Sequence, residues 1–389
     1  MGLTINCGAV NSTSHNRHAP HYAQALHQPQ VSTRYCPIIS VYPRDLFRTT
    51  TLSMSTLPEH IPTVVTFRGN HPENIYYGSI AVVDKRGKLL AHAGDMRTPM
   101  FTRSALKPFQ AMPLIAQFAD NFDLSDADVA LLCASHNGEA AHASRAASIL
   151  SRAGRSEADL LCGTHLPYYY STNKITPPEP PNYNRLNHNC SGKHAGMLML
   201  ASALGVSHQQ YTSLEHPVQQ AIVASVCHFC GVQPSQLVVG IDGCSVPNFA
   251  VPLPNLARAF AQLTKTEADG PYGNGPQRVF QAMSEHPAMV SGMGRNDLAI
   301  TRAGGGDWIS KVGADGVQTI TSRSRGTAIV GKIADGNLDM LMVMMMAALE
   351  QMGWMTDTAR TALRAYVPGP LKNVAKLDVG HTQAVFQLT

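Results

Sequence analysis

Charged and aromatic residues are scarce in this sequence: 14% of its 389 residues are Asp, Glu, Lys or Arg, and 6% are Phe, Trp or Tyr. The net charge of +4 is unclustered and no basic stripe interleaves with aromatics, which excludes nucleic acid as a favoured partner. No apolar run is long enough to span a bilayer, so no membrane partner is expected. The longest helical candidate, Leu338 to Leu349 with Met344, Met345 and Met346, is read as a core helix. The eight cysteines lack the spacing of a disulfide framework, and free thiols or metal ligands are expected instead. Two glycine runs, Gly292 to Gly294 and Gly304 to Gly306, lack the preceding strand and following helix that a phosphate loop requires, and are read as turns.

Acidic residues are missing altogether before Asp45, where His, Ser, Thr and Pro abound without the apolar stretch of a secretory signal. Residues 1–58 are read as a disordered leader, either an organelle transit peptide or the result of an upstream start ahead of Met54. A single catalytic domain is expected over 59–386. Within it, Thr63 to Phe67 and Tyr76 to Val83 read as strands, with a turn at Lys85 to Lys88 and a returning strand from Leu89 to His92. The stretch from Ser104 to about His286 reads as mostly helical. Strands return at Trp308 to Val312, Val317 to Ser322 and Thr327 to Ile333, then helices over Asn337 to Met352 and Asp357 to Ala365. Strands at both ends of a helical centre imply one antiparallel sheet with an inserted helical lobe.

What the sequence does contain begins with Phe101-Thr-Arg-Ser-Ala-Leu-Lys-Pro-Phe109, a Ser-x-x-Lys pair ahead of a proline. Proline is tolerated in the first helical turn, where backbone N–H groups lack partners, so Pro108 puts a helix start close to Ser104. Residues three apart share a helix face, which brings the Lys107 amine beside the Ser104 hydroxyl, the geometry of a serine nucleophile with a lysine base. An N-capping serine followed by a solvated lysine is the plain alternative. A second match, Ser171 to Lys174, runs into Pro177 and Pro178 and is read as loop. The neighbouring Tyr168-Tyr-Tyr170 is read as loop packing in preference to a substrate cover.

Downstream, Cys133-Ala-Ser-His-Asn-Gly138 contains a Ser-x-Asn triplet, and Lys311-Val-Gly313 is a Lys-x-Gly at a strand edge. The order Ser-x-x-Lys, Ser-x-Asn, Lys-x-Gly is the layout of serine β-lactamases and penicillin-binding proteins. Taken singly, Ser135 reads equally as a turn residue and Lys311 as a solvated strand lysine. Asn187-His-Asn-Cys-Ser-Gly-Lys-His-Ala-Gly-Met197 leads into an apolar helix, with Cys190 at its start, favouring thiolate, and Lys193 one turn on. Leu237 to Ser245 reads as a buried strand running into a turn that presents Asp242 and Cys244. Two thiolates, a nitrogen and a water suit zinc; Lys193 serves only when neutral, His188 or His194 is the more conventional nitrogen, and inert packing cysteines are the alternative.

Taken together, Arg103-Ser-Ala-Leu-Lys-Pro108, the blocks around Ser135, Cys190 and Cys244, and Lys311-Val-Gly-Ala-Asp-Gly316 resemble the asparaginase II family, whose members have a serine β-lactamase-like fold. The resemblance runs in family order over roughly residues 60 to 385. It implies an α/β (α+β) serine β-lactamase/DD-peptidase-like fold, an antiparallel sheet flanked by helices with a helical lobe. It also implies hydrolysis of the side-chain amide of L-asparagine by a cytoplasmic homodimer. The implied catalytic pairs are Ser104 with Lys107 and Ser135 with Lys311, beside a zinc ion held by Cys190, Lys193, Cys244 and water. Arg103, His136, Asn137, His194, Asp242 and Arg295 are the expected substrate contacts, Arg103 or Arg295 for the α-carboxylate and Asp242 for the α-ammonium or for orienting the zinc ligands. Some members carry a cysteine shortly after the arginine that Arg295 matches, where this chain has Asn296-Asp297, so no ligand is expected there. The competing chemistries are a β-lactamase-like or penicillin-binding serine hydrolase and direct attack by a zinc-bound hydroxide.

Overall fold

A computed structural model describes residues 57–268 and 270–389. The leader expectation falls, up to residue 56, outside the described residues. The strands are β1 (Ile61–Arg68), β2 (His71–Asp84), β3 (Leu89–Ala93), β4 (Met100–Phe101), β5 (Val238–Ile241), β6 (Pro247–Val251), β7 (Trp308–Gly313), β8 (Val317–Ser322), β9 (Thr327–Ile333), β10 (Leu371–Lys372) and β11 (Asp378–Ala384). Eight of them form one antiparallel sheet in the order β10-β11-β1-β2-β9-β8-β7, with β3 also on β2. Its spine is β2, whose first half pairs with β1 while its second half pairs with both β3 and β9.

Side chains alternate across a strand, so successive residues of β2 serve different cores. Ala81 and Val83 join the core built by the central helices, whereas Ile80 and Val82 join a second core on the opposite face. That second core is closed by the helices Leu338–Gln351 and Asp357–Leu363. Leu341, Met344, Met345 and Leu349 are fully buried in it. Each such side chain contributes roughly 1.5–3 kcal/mol on burial, which assigns the methionine run to the core. An antiparallel sheet with helices on both faces and a helical lobe inserted between β3 and β7 is the expected β-lactamase-like arrangement.

The lobe departs from expectation in one respect. It contains a second, three-stranded sheet in the order β4-β6-β5. The Val238–Ile241 run is a strand, but an exposed outer one, with Ile241 74% exposed; the buried member is β6, every residue of which is inside. A short apolar run does not tell an edge strand from a central one. The six cysteines among the described residues are all free, and no helix among them is long and apolar enough to cross a membrane.

The helix that carries Lys107 spans Lys107–Phe118, with Pro108 in its first turn and Pro113 inside it. A proline offers no N–H to the carbonyl four residues back. The orphaned Phe109 carbonyl instead accepts from Ser225 Oγ at 2.8 Å, a hydroxyl brought by the helix Pro217–Cys230.

Candidate active site

Ser104 stands in a single 3-10 turn, Arg103–Leu106, that feeds directly into the Lys107–Phe118 helix. Arg103 adopts a left-handed backbone, φ 50°, a conformation that costs a residue with a side chain about 1–3 kcal/mol. It is held there by its guanidinium, which pairs with Asp242 at 2.9 Å and with Asp315. Ser135 follows the helix Asp126–Leu132, its own N–H bonded to the Val290 carbonyl at 2.9 Å. The two serines meet: Ser135 Oγ donates to Ser104 Oγ at 3.4 Å.

Lys311 arrives on β7. Strand and serine turn approach so closely that a Cβ at Gly313 would collide with the Thr102 carbonyl oxygen, so the glycine of Lys-x-Gly is a packing requirement. Both Lys107 and Lys311 are 0% exposed. Burial pushes Lys107 below the ordinary lysine value, the Cys190 thiolate raising it and Lys193 lowering it further. Burial likewise pushes Lys311 down to about 7, against Asp297, which raises it. Neither amine is hydrogen-bonded to a serine hydroxyl. Lys107 Nζ donates to the Asn189 carbonyl at 3.3 Å, and Lys311 Nζ to the Val312 carbonyl at 2.8 Å.

Cys190 is the residue from which the helix Ser191–Ala203 starts, and Lys193 lies one turn on. A Cβ at Gly192 would strike the Leu131 carbonyl oxygen, so this residue must be bare for the helix to lie against the Asp126–Leu132 helix. Lys193 Nζ donates to Cys244 Sγ at 3.0 Å. Cys244 sits in the tight turn between β5 and β6, its thiol directed at Asp242 Oδ2 at 3.6 Å. The Cys244 thiol, as donor, draws Cys190 well below the ordinary cysteine value, with Lys107 and Lys193 assisting against burial. The same bond, with burial, raises Cys244. Against its own burial, Lys193 is raised by the sulfurs of Cys244 and Cys190 beside it.

Cys190, Lys193 and Cys244 are therefore gathered around one spot and their donor chemistry fits a soft divalent metal. Among the described residues no cluster of three or more His, Cys, Asp or Glu side chains is gathered so as to hold a metal. A metal held by these two thiols would need a third protein donor, and Lys193 is the one beside them. The two histidines weighed as alternatives each commit Nδ1 elsewhere, although the His194 ring also neighbours Cys244. His188 Nδ1 accepts from the Cys190 N–H at 3.0 Å. His194 Nδ1 meets Tyr211 OH at 2.6 Å, leaving a buried Nε2 without a hydrogen-bond partner.

Above the serines opens a cavity of about 460 Å³ whose walls include Ser104, Ser135, Tyr168, Asn189, Arg295 and Asp315. A hollow of about 760 Å³ between Asp159 and Ser213 contains none of the expected site residues. Arg295 lies over the Tyr168 ring at 5.2 Å and donates to Asn137 Oδ1 at 3.1 Å. Tyr168 thus lines the cavity, contrary to its reading as loop packing. It opens a short helix, Tyr168–Asn173, in what reads from sequence as loop; Lys174 falls past its end with φ 55° and is exposed.

His136, Asn137 and His194 are fully buried and stand behind the cavity wall. His136 is bonded to Ser191 Oγ at 3.0 Å, and Asn137 holds Arg295, Glu139 and the Met293 carbonyl. Asp242 and Arg103 pair with each other but do not line this cavity, Arg103 lining a different hollow of about 700 Å³; Asp242 is held below the ordinary carboxylate value, against its burial, by Lys193 and Arg103. Sequence reasoning passes over Asn189, whose side-chain amide donates to Ser135 Oγ at 3.0 Å while its carbonyl receives Lys107. Its place directly before Cys190 is the only signal that could have found it.

The family profile described as L-asparaginase II matches residues 64–384. The chain belongs to the L-asparaginase II family. At that level it is an asparaginase-like hydrolase, and the matched span contains every residue of the two serine–lysine pairs and of the thiol cluster. No match to a curated protein is found. Among solved structures, a β-lactamase from Mycobacterium bovis is similar at 14% identity and a TM-score of 0.33, covering 75% of this chain and 95% of that one. A protein named Mglu, in its native form, is similar at 14% identity and a TM-score of 0.36, covering 75% of this chain and 61% of that one. In this member of the L-asparaginase II family the fold is read from its own strand order.

Proposed function

We propose that this protein is an L-asparaginase that hydrolyses the side-chain amide of L-asparagine to L-aspartate and ammonia. The observation that carries the reading is the meeting of Ser104 and Ser135 at 3.4 Å on the floor of the cavity, backed by two wholly buried lysines. Burial favours the neutral amine, the form that accepts a hydroxyl proton. Arg295, at the wall and stacked on Tyr168, offers a cation for the α-carboxylate. Arg103 is already committed to two carboxylates, which leaves Arg295 the better of the two arginines considered.

In this reading Ser104 Oγ attacks the amide carbon and its proton passes to Lys107. The C–N bond breaks, Lys107 returns the proton to the leaving nitrogen, and ammonia departs from a β-aspartyl ester of Ser104. Water then attacks the ester carbon and gives up a proton to an amine, and the C–O bond to Ser104 breaks with the hydroxyl restored. Ser135 and Lys311 relay protons across the floor. The two amines, bonded to backbone carbonyls without substrate, turn to the serine hydroxyls once it is seated.

Cys190, Lys193 and Cys244 would hold zinc, with Asp242 directed at Cys244 from outside. Bound there, the ion would supply fixed positive charge and Lewis acidity. Lys193 must shed its proton to serve as ligand.

The deciding experiment measures ammonia release from asparagine and from glutamine, and turnover of a chromogenic β-lactam, for the wild type and Ser104→Ala. Asparagine turnover by the wild type and a loss of about 10³-fold or more in kcat for the variant are expected. A variant retaining a tenth of wild-type kcat would sink the serine mechanism, and β-lactam turnover without asparagine turnover would sink the substrate.

A further inference from the structure

Asp297 is a carboxylate buried to 1% exposure that the chemistry above does not employ. It stands in the first turn of the helix Asn296–Ala303 and reaches into the end of β7. Oδ1 accepts from Ser310 Oγ at 2.8 Å and from Gln318 Nε2 at 2.9 Å, and Oδ2 accepts from the Val312 N–H at 2.9 Å. Asn296 completes the set by donating to Gln318 Oε1 at 2.7 Å. Asp297 therefore grips the residues on both sides of Lys311, and the Lys311 amine stands 3.8 Å from Oδ2.

Three neutral donors satisfy both oxygens of this buried carboxylate. The charged and titratable groups facing Lys311 are Asp297, Lys107, Arg295, Cys190 and Cys133. Asp297 is the one carboxylate in that set, and Lys107 and Arg295 both repel an ammonium.

We propose that Asp297 is the positioning residue of the second serine–lysine pair, fixing the aim of Lys311 and setting the pH at which its amine exchanges a proton. The proposal rests on the reading that Lys311 moves protons for Ser135. Without the carboxylate the amine faces two cations and no anion but a thiolate, so its proton leaves at lower pH.

The test compares the wild type with Asp297→Asn, which keeps the shape, removes the charge and turns one acceptor oxygen into an amide donor, and with Ser310→Ala, which keeps the charge and removes the two hydrogen bonds of the Ser310 hydroxyl. Protein labelled with ¹⁵N at the lysine amines is titrated by NMR, with the Lys311 signal assigned through Lys311→Met. Asp297→Asn should lower the Lys311 midpoint by about one pH unit or more, the size expected for losing an adjacent buried charge, while Ser310→Ala leaves it nearly unmoved. The limb of the kcat–pH profile governed by Lys311 should move the same way. A purely structural aspartate would lower activity evenly and leave the limb in place, and an unmoved midpoint in folded Asp297→Asn overturns the proposal. If that variant does not fold, the double variant Asp297→Asn/Lys311→Met should, because it removes both buried charges together; a double variant as unstable as the single one also overturns the proposal. Inactivity of the wild type on asparagine would refute the asparaginase reading alone, since the NMR titration needs no turnover.

Discussion

Ser135 Oγ donates its hydrogen bond to Ser104 Oγ and in turn receives one from Asn189 Nδ2. A hydroxyl has a single proton, and Ser135 has directed its own toward Ser104. The Ser104 proton is the one left free to go to a base, which suits the proposed division in which Ser104 attacks and Ser135 supports it.

Replacing Arg295 by Ala should raise KM for asparagine by about tenfold to a hundredfold, the usual value of a charge-assisted hydrogen bond, with a smaller change in kcat. Steady-state kinetics decide it. An unchanged KM would remove Arg295 from substrate binding and return attention to Arg103.

Gly313→Ala adds a methyl group where the Thr102 carbonyl already stands. Because the obstacle is backbone, β7 must withdraw from the serine turn. A stability loss of about 1–3 kcal/mol is expected from overpacking, together with a fall in kcat larger than that of a distant variant of equal stability. Denaturant unfolding paired with kinetics checks both parts; full activity would show that the approach of β7 to Ser104 is not needed.

Elemental analysis of the purified protein should find close to one zinc per chain, lost in Cys190→Ala and in Cys244→Ala. Retention should weaken as pH falls, since thiolates and a neutral amine each compete with protons for the metal. Metal content unchanged in both variants would clear these thiols of the role.

His136 and His142 are stacked at 4.6 Å with their planes 6° apart. Burial holds both below the ordinary histidine value. A folded-state value below the unfolded one means that the unfolded chain binds more protons as pH drops through about 6.5, so stability is full above that point and declines below it. Melting temperature should therefore fall between neutral pH and pH 5, and less so in His142→Phe. A flat curve would contradict the account.

Much of the sheet is legible in the sequence because β2 and the β7–β9 group alternate or run apolar between clear turns, and the serine turn is legible because Pro108 dictates a helix start. The thiol helix can be read from Cys190, Gly192 and Lys193 in one short block. Other parts leave little trace. β11, Asp378 to Ala384, carries neither alternation nor an apolar run, and it becomes a strand because β1 offers it a free edge. The run at β5 looks the same whether central or outermost. Asp297, beside a glycine turn, has no local signature at all: only the burial of Lys311, a tertiary fact, creates the need for a carboxylate there.

The hydroxyl that Ser225 lends to the Phe109 carbonyl joins two helices through a gap that Pro113 opens. A descendant with alanine at 113 would reclaim the carbonyl for its own helix and release the serine to drift, whereas one that lost the serine first would be left with a bare buried acceptor on the lysine-bearing helix. The two positions are thus coupled through one carbonyl, and losing the proline first is the milder of the two changes.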